Sequence, residues 1–464
     1  MTMTSFIGIP LTPIHIGDGT ELAPENFKID GDDLVRFDAA AVLAAMPAQA
    51  QARFLQALDG GRLKEAQAEL HKGVTPQHHL ERVAVGPASL AELKVAVEDP
   101  LVRNRRTGAA SPFIRTGGRP YVPGSSIKGA LRTALVNALA HDADHIGGVG
   151  SEMEKEIRKL RDNPKATGSV SNRLQELAFD CPKGKTERDP LRWLAVSDGL
   201  LPARATRFDK VSVGWKDGKA PKTQLHVERL WSCADGKGAQ IAAFPISITV
   251  ADGGHQQAAR DKDKYKDKTP VATLDLDEVL NAVHAFHERR WQAELDRFFG
   301  GHKDWLQRRR ADVERALRRR IGVNEKLILM RVGRFGHFES KSVDDWRRGW
   351  QATPKPGRHV EQGTTRAVLE IGEHPLPFGW LLLCQETPEV RDWLSQRSPA
   401  AAPARSPSAQ GTPGAPTAAP VPARRAFLGE EEVAIENKKG SEILVRFIGT
   451  SDTEWVAAEE ITYR

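Results

Sequence analysis

The sequence predicts an α+β protein made of two ferredoxin-like (RRM-like) domains with helical insertions, followed by a small C-terminal β module on a flexible linker. Both halves repeat the same pattern, a β-rich segment that runs into a glycine loop: Ile14-His15-Ile16-Gly17 in the first half and Met330-Arg331-Val332-Gly333 in the second. Two β-α-β-β-α-β units would explain this weak internal repeat. Near the C-terminus, the composition changes abruptly to alanine, proline and serine.

The first predicted domain covers residues 1–252. Alternating apolar and polar residues predict a strand over residues 5–16. An alanine- and leucine-rich helical insertion follows over about residues 39–110, with a second strand region at residues 81–97. Further strands are predicted at residues 193–198 and twice within 225–250. The charged residues 147–180 predict a protruding, loosely helical arm.

The second predicted domain covers residues 269–396. It follows a run of alternating aspartate and lysine in residues 252–269, which cannot form a buried core. Amphipathic helices are predicted at residues 274–299 and 305–321, and β structure resumes at residues 327–332. Residues 397–424 are rich in proline and alanine and predict a linker, while renewed alternation predicts a β module at residues 425–464.

The segment Tyr121–Arg132 predicts an anion site at the start of a helix. Pro123 and Gly124 end the preceding segment, Ser125 and Ser126 offer N-cap oxygens, and an apolar stripe follows with helical spacing at Ile127, Leu131, Leu135 and Leu139. Backbone N–H groups at a helix N-terminus favour an anion, and Lys128 and Arg132 add cations one turn apart. Many helices begin in this way without a ligand, so the pattern alone leaves both interpretations open.

Two glycine loops strengthen the functional interpretation. The first is His15-Ile16-Gly17-Asp18-Gly19, in which glycines let the backbone approach a ligand closely. The second is the segment 331–341, which contains Gly333 and Gly336 and carries Arg331, Arg334 and Lys341. A "Thr-Arg" pair, Thr365-Arg366, and the segment Pro377-Phe378-Gly379-Trp380 follow it.

Together these motifs resemble the RAMP superfamily of CRISPR effector subunits, whose members carry a His-Ile-Gly strand end and a Pro-Gly-Ser-Ser-x-Lys-Gly-x-x-Arg segment. The resemblance covers roughly residues 5–385. It implies the duplicated ferredoxin-like fold and a role in a ribonucleoprotein. The order of the parts is most similar to the fifth subunit of type III-A Csm complexes, which caps the backbone filament and binds the 3′ region of the guide RNA.

The resemblance also implies partners and contact residues. The partners are the guide RNA (crRNA) and other RAMP subunits, chiefly the backbone subunit and the small subunit, with host maturation nucleases as a further candidate. Contacts to sugar and phosphate hold a strand without reading its bases, which suits many guide sequences. The predicted RNA-binding residues are His15, Gly17, Gly19, Arg115, Arg119, Gly124, Ser125, Ser126, Lys128, Arg132, Arg331, Gly333, Arg334, Gly336, Lys341 and Arg366.

Two rival functions remain open. His15 could be the general base of a metal-independent guide-processing endoribonuclease, with Lys128 holding the phosphate, although a structural histidine at the strand end is the favoured interpretation. The chain could also be a scaffold that contacts only protein. Seven arginines in the helix 305–321 indicate either a charged surface or a ridge that follows phosphates. His141, Asp142, Asp144 and His145 place potential metal ligands at a helix end, but neither a metal nor a cofactor is predicted.

Composition agrees with an RNA partner without requiring one. The net charge of +6 and the isoelectric point near 9.1 favour a polyanion. Three cysteines far apart in the sequence predict neither a disulfide framework nor a zinc site. The N-terminus lacks a basic and apolar leader, and no apolar run approaches the ~20 residues that span a bilayer. A cytoplasmic protein is therefore expected, without membrane partners.

Overall fold

A computed structural model describes residues 2–98, 110–142, 149–179, 181, 183, 189–215, 224–236, 240–251, 274–322, 325–351, 358–371 and 374–398, together with the strands of a C-terminal unit. The chain divides into two compact units, Met1–Ala404 and Arg405–Arg464. The first unit is a mixed α+β structure. Among the described residues no helix is both long and apolar enough to cross a membrane.

The described helices are α1 (Ala39–Ala45), α2 (Ala48–Asp59), α3 (Leu63–Gly73), α4 (Pro87–Glu98), α5 (Gly124–Ala140), α6 (Val149–Arg158), α7 (Thr167–Ala178), α8 (Leu276–Phe298), α9 (Lys303–Ile321) and α10 (Pro388–Ser395). The strands of the first unit are β1 (Thr2–Pro10), β2 (Phe27–Asp30), β3 (Asp33–Phe37), β4 (His79–Val85), β5 (Ala110–Ser111), β6 (Arg115–Thr116), β7 (Arg119–Val122), β8 (Leu194–Val196), β9 (Gly199–Leu200), β10 (Thr206–Trp215), β11 (Gln224–Leu230), β12 (Phe244–Val250), β13 (Leu327–Arg331), β14 (Gly349–Gln351), β15 (Arg358–Val360), β16 (Thr365–Ile371), β17 (His374–Pro377) and β18 (Trp380–Gln385).

A five-stranded antiparallel sheet forms the centre of the first unit, in the order β13-β18-β1-β12-β8. Its strands alternate between two hydrophobic cores, because successive side chains of a strand point to opposite faces. In β18, Leu381 and Leu383 belong to one core, which α5 and the first half of α8 cover. Leu382 and Cys384 belong to the other core, which α9 and α10 help to cover.

This sheet joins the two predicted domains. In chain order, β1, α5, β8 and β12 are followed by α8, α9 and β13, and β18 is the last of the five strands, which lies between β13 and β1 in the sheet. β1 pairs with β12 on one side and with β18 on the other. Strands from both predicted domains, 1–252 and 269–396, therefore pair within one sheet, with β18 beside β1.

A second sheet of eight strands also draws on both halves. Its main path is β17-β16-β10-β4-β3-β2, and β11 pairs with both β10 and β5. The long strand β10, which the sequence pattern did not reveal, lies at the centre and pairs with β4, β11 and β16. Two smaller sheets are β14-β15 and β6-β7-β9.

Most of the predicted helices are present, but two segments differ from expectation. Residues 87–98 form α4 rather than a strand, with Pro87 at the first helical position, where proline is favoured. The predicted arm at 147–180 does not protrude in its described part: it forms α6 and α7, and Leu160, Val170 and Leu174 are buried in the core beside α5. Apolar residues at helical spacing decide both outcomes.

The C-terminal unit contains β19 (Ala426–Leu428), β20 (Glu431–Lys439), β21 (Glu442–Phe447), β22 (Thr453–Ala457) and β23 (Ile461–Tyr463). They form one antiparallel sheet in the order β22-β21-β20-β19-β23. The predicted charged run at 252–269 and nearly all of the predicted linker at 397–424 lie outside the described residues.

Candidate nucleic-acid interface

Three segments that are far apart in the sequence line one groove of about 540 Å³. The first glycine loop contributes Ile16, Gly17, Gly19, Thr20 and Glu21; helix α5 contributes Ser125, Ser126, Gly129, Ala130 and Thr133; and the second glycine loop contributes Arg331, Val332, Gly333, Arg334, Ser340 and Lys341. The motifs singled out in the sequence therefore meet at one place. We call this site the motif groove.

Main-chain hydrogen bonds hold the two glycine loops together. The Arg334 N–H donates to the His15 carbonyl oxygen at 2.9 Å, and the Leu230 N–H donates to the Ile14 carbonyl oxygen at 2.9 Å. The Gly379 N–H donates to the Pro13 carbonyl oxygen at 2.7 Å. The end of the first strand segment is thus fixed from three sides, so the loop that follows enters the groove from a rigid base.

Two glycines are required by this geometry. Gly333 has a φ of 90°, and a Cβ atom there would lie 2.6 Å from the His15 carbonyl oxygen, so a side chain would separate the two loops. Gly19 has a φ of 89° with open space around it. Its requirement is therefore conformational, because this φ region is costly for residues with a side chain.

The start of α5 is anchored by protein groups. The Gly124 N–H donates to Asp198 Oδ1 at 2.7 Å, and a Cβ atom on Gly124 would meet the Val196 carbonyl oxygen at 2.1 Å. Pro123, rather than a serine, occupies the N-cap position. Gly124 thus permits close packing. The sequence pattern predicted that its N–H group would be open to an anion, but Asp198 already accepts a hydrogen bond from it.

Lys128 and Arg132 also differ from expectation. Lys128 Nζ donates to the Leu194 carbonyl oxygen at 2.7 Å, and Arg132 forms an ion pair with Asp189. Both side chains are partly buried, and they tie α5 to the segment that leads into β8. Ser125 and Ser126 remain on the groove wall, where Ser125 is exposed.

Arg334 and Lys341 carry the available positive charge of the motif groove. Both are exposed, and neither forms an ion pair with a carboxylate of the described residues. Desolvation at the groove wall, followed by the charge of Arg331, lowers the pKa of Lys341. The buried Ser340 hydroxyl also lines the groove and has no hydrogen-bond partner among the described residues. Glu21 is the acidic residue among those that line it.

Three of the predicted contact residues are arginines whose side chains are buried in ion pairs. Arg115 pairs with Glu228 and with Glu81, the latter at 2.9 Å. Breaking a buried ion pair costs about 3–5 kcal/mol, so these guanidinium groups are not available to a phosphate at low cost. We therefore remove Arg115, Arg331 and Arg366 from the proposed contacts.

Arg331 and Arg366 share one buried carboxylate, Glu294. Arg331 Nη1 lies 2.9 Å and Arg366 Nε lies 2.7 Å from Glu294 Oε1. Arg331 Nε also donates to the Phe378 carbonyl oxygen at 2.9 Å, and Arg366 Nη2 lies 3.0 Å from Glu339 Oε1. This cluster supports the floor below the second glycine loop.

Arg119 and Gly336 lie outside the groove lining. Arg119 is exposed at the turn between β6 and β7 and has no ion-pair partner among the described residues. Gly336, within the second glycine loop, is buried. Thr133 and Ser340 line the groove as well, although neither is among the predicted contact residues. Thr133 lies four residues after Gly129 and eight after Ser125, so helical spacing would have placed it on the same face.

His15 is a buried residue that joins the first loop to β11. It is 1% exposed, and its Nδ1 lies 2.6 Å from the Glu228 carbonyl oxygen. Burial lowers the pKa of His15, which favours the neutral imidazole. Its Nε2 has no partner among the described residues, but it does not line the groove. The arrangement fits a structural histidine better than a general base acting on RNA.

The arginine-rich helix α9 lies on the other side of the central sheet. Its buried residues Leu306, Leu317 and Ile321 belong to the core opposite to that of α5. Arg310 pairs with Glu288 and Glu314, whereas Arg308, Arg318 and Arg319 are exposed. The described residues contain no group of three or more potential metal ligands, and Asp144 and His145 lie outside them.

Comparisons with known proteins agree with the motif resemblance. The profile of the RAMP superfamily matches residues 10–319. Two proteins named CRISPR system Cms protein Csm5, from Mycobacterium tuberculosis strains CDC 1551 and H37Rv, are each 28% identical over 145 residues. That match spans 28% of this chain and 38% of the length of either relative.

Two solved structures align with most of this chain. A chain of the Csm–crRNA–target RNA ternary complex of a type III-A CRISPR–Cas system aligns with a TM-score of 0.55 at 18% identity, covering 82% of this chain and all of that one. The crystal structure of T. onnurineus Csm5 aligns with a TM-score of 0.46 at 16% identity, covering 81% and 99% of the two chains. The first of these alignments shows that this chain shares its fold with that chain of the ternary complex.

Proposed function

We propose that this chain, which belongs to the RAMP superfamily, is a non-catalytic subunit of a type III-A CRISPR RNA-guided effector complex. In this role it caps the backbone filament and binds the 3′ region of the guide RNA in antiviral defence. The similarity to Csm5 proteins and to a chain of a Csm–crRNA–target RNA complex supports the proposal. The backbone and small subunits, host maturation nucleases and a cytoplasmic location are parts of the same proposal.

The convergence of three distant motifs in the motif groove carries the proposal. A groove lined by small residues, hydroxyl groups and two free cations suits a sugar–phosphate backbone. Small residues let a polynucleotide approach the main chain, and the hydroxyl groups of Ser125, Thr133 and Ser340 supply hydrogen-bond partners for phosphate and ribose. The proposed side-chain contacts are Ser125, Ser126, Thr133, Arg334, Ser340 and Lys341.

The sequence pattern predicted contacts from main-chain N–H groups, but the structure favours contacts from side chains. The Val332 N–H donates to the Gly379 carbonyl oxygen and the Ser126 N–H to the Pro123 carbonyl oxygen, each at 2.9 Å. The Gly124 and Arg334 N–H groups also bond to protein acceptors. Four main-chain donors near the groove are therefore occupied. Arg334 and Lys341 must then supply most of the attraction for phosphate.

The endoribonuclease alternative is weaker on the same geometry. A general base must come within hydrogen-bond reach of the ribose hydroxyl that it deprotonates. His15 is buried behind the groove wall between Phe113 and Phe335, whose ring centroids lie 6.4 and 5.7 Å from its own. We therefore give it a structural role.

Salt-dependent RNA binding tests the proposal. The double variant Arg334→Gln/Lys341→Gln should lower the magnitude of the slope of log K against log salt concentration by about 1.4 for a single strand, since each lost phosphate contact accounts for about 0.7. The matched control is Arg62→Gln/Lys64→Gln, which removes two exposed positive charges from the helical insertion. It should leave the slope unchanged.

Filter binding of a labelled single-stranded RNA over a range of salt concentrations provides the measurement. Equal slopes for wild type and the groove variant would show that these cations do not contact phosphate. RNA cleavage in the presence of a chelator, lost in His15→Ala, would instead support the ribonuclease alternative. Absence of salt-dependent binding would favour a scaffold that contacts only protein.

A further inference from the structure

A second, smaller cavity adjoins the motif groove. It has a volume of about 100 Å³ and shares Thr133 and Lys341 with the groove. Helices α5 and α7 form one wall, and the segment 338–348 forms the other. We call it the side pocket. Because the two cavities share lining residues, a strand that follows the groove passes the mouth of the side pocket.

The lining of the side pocket combines basic and aromatic side chains. Its basic residues are Arg132, Arg347, Arg348 and Lys341. The three arginines form ion pairs with Asp189, Asp344 and Glu361 respectively, so Lys341 supplies the unpaired cation among the described residues of the lining. Phe338 and Trp346 add two aromatic side chains. Thr167, Ser171 and Gln175 add polar groups from α7. This combination of cations, rings and neutral polar groups is typical of sites for single-stranded RNA.

Two buried hydrogen-bond donors in this lining lack partners. Trp346 Nε1 and Arg347 Nε have no hydrogen-bond partner among the described residues. A buried donor without a partner costs about 1–3 kcal/mol, and an acceptor on a ligand would recover that free energy. Both atoms can only donate, so the matching ligand edge carries acceptors.

The outer wall of the pocket is held in a fixed, strained conformation. His337, which precedes the wall segment, and Asp345, which lies within it, have φ values of 55° and 62°. Arg290 anchors the segment between them: its Nε donates to the Glu339 carbonyl oxygen at 2.7 Å, and its Nη2 donates to the Ser342 carbonyl oxygen at 3.1 Å. Residues in strained conformations concentrate at ligand-binding sites, where the surrounding structure maintains them.

We propose that the side pocket accepts one unstacked pyrimidine base of the strand whose phosphates occupy the motif groove. This inference rests on the proposed function of the groove. A cavity of about 150 Å³ holds benzene, so an open pocket of 100 Å³ suits one six-membered ring better than a purine. Uracil and cytosine each carry two acceptors on the ring edge, so either base can accept from Trp346 Nε1 and Arg347 Nε, the two donors without partners among the described residues.

An abasic scan of the RNA tests this inference on the full-length chain. In single strands of about 12 nucleotides, each position is replaced in turn by an abasic residue. Affinity should fall roughly 5- to 100-fold at one position, which is the effect of losing one stacked base. At that position a pyrimidine should bind about tenfold more tightly than adenine, because the two-ring base does not enter the pocket and leaves a buried donor unpaired.

Blocking the pocket provides the matched pair of variants. Ser171→Phe places a ring in the pocket, whereas Asn172→Phe places it on the neighbouring exposed residue, which does not line the pocket. Ser171→Phe should bind intact RNA more weakly than wild type, by the factor that the abasic residue costs at the sensitive RNA position. An abasic residue at that position should then have no further effect on its affinity. Asn172→Phe should behave like wild type.

The outcomes separate this inference from the proposed function. If affinity is the same for an abasic residue at every position while binding remains salt-dependent, the proposal for the side pocket is wrong and the proposed function of the motif groove stands. Equal affinity of Ser171→Phe and wild type for intact RNA also overturns it. If no strand binds in a salt-dependent manner, the proposed function fails, and the inference fails with it.

Discussion

Glu228 links His15 and Arg115 at the base of the first glycine loop. Its side chain is fully buried, pairs with Arg115, and accepts a hydrogen bond from the Phe113 N–H at 2.7 Å. Its carbonyl oxygen contacts His15. Glu228 therefore holds the loop through its carbonyl oxygen and the neighbouring residues 113–115 through its carboxylate. Such a charge is tolerated only while its partners compensate it.

Replacing Arg115 should therefore affect stability and leave RNA binding intact. Arg115→Gln leaves Glu228 buried with its charge poorly compensated, so we expect the free energy of unfolding to fall by about 3–5 kcal/mol. Arg119→Gln removes the same charge four residues later from an exposed site, and it should change stability by less than about 0.5 kcal/mol. Denaturant unfolding measures both. Arg115 has a structural role only if two results are absent. One is a denaturant midpoint of Arg115→Gln equal to that of wild type, and the other is a weaker dependence of its RNA binding on salt concentration.

The sequence located the glycine loops but could not identify the free charges. Arg331 and Arg334 lie three residues apart, yet Arg331 is buried against Glu294 while Arg334 is exposed. Glu294 lies on α8, and nothing in the local pattern of either residue reveals the pairing. Motifs fix the path of the backbone, whereas the role of each cation depends on carboxylates elsewhere in the chain.

The helical insertion forms a small core of its own, with Phe37, Val42, Met46, Leu70 and Val74 at its centre. His71 packs beside this core, its ring edge-to-face with Phe37 at 5.5 Å. Its Nε2 is buried and lacks a partner among the described residues. Burial lowers the pKa of His71 from 6.5 to about 4.

This shift predicts a pH-dependent stability of the insertion. In the unfolded chain His71 takes up a proton near pH 6.5, whereas in the folded chain it does so only near pH 4. Its contribution is therefore fully present above pH 6.5 and is lost as the pH falls from 6.5 towards 4, by up to about 1.4 kcal/mol per pH unit. The stability of His71→Phe should therefore depend less steeply on pH than that of wild type. The other buried histidines contribute equally to the pH dependence of the two proteins.

Hydrogen exchange of α1, α2 and α3, followed across this pH range, measures the local stability. Wild type should lose protection faster than His71→Phe as the pH falls. Parallel losses in the two proteins would mean that His71 is as easily protonated in the folded state as in the unfolded one.

Elements with a strong period were the most predictable. The stripe Ile127, Leu131 and Leu135 predicted α5, and all three residues are buried in the core. The sequence predicts a strand region over residues 81–97, but residues 87–98 form α4, because Pro87 can start a helix and the following alanines and leucines favour one. The described part of the predicted arm is packed helix, because its charged residues cover only the outer face.

At the scale of the whole molecule, the central strand β1 depends on residues from both ends of the first unit. Phe6 pairs with Gln385 on one side and with Ile246 on the other. A boundary placed at a charged segment separates these strands in the sequence, but the sheet closes across it. Sequence periodicity identifies strands without identifying their neighbours, so the pairing of β1 with β18 could not be predicted from it. Such long-range pairing also implies slow folding.

The division at residue 404 makes a final prediction about truncation. The helix α10 caps the core opposite to that of α5 with Val390, Trp393 and Leu394, and the Arg397 carbonyl oxygen accepts a hydrogen bond from the Ile241 N–H at 2.7 Å. A chain that ends at residue 404 keeps these contacts, so its melting temperature and its salt-dependent RNA binding should match those of the full chain. A chain that ends at residue 387 loses three buried side chains, each worth about 1.5–3 kcal/mol, and should melt at a markedly lower temperature. Calorimetry of the first unit distinguishes the two truncations. Equal melting temperatures for the two truncated chains would show that α10 does not contribute to this core. Loss of RNA binding in the chain that ends at residue 404 would show that the C-terminal unit contributes to RNA binding.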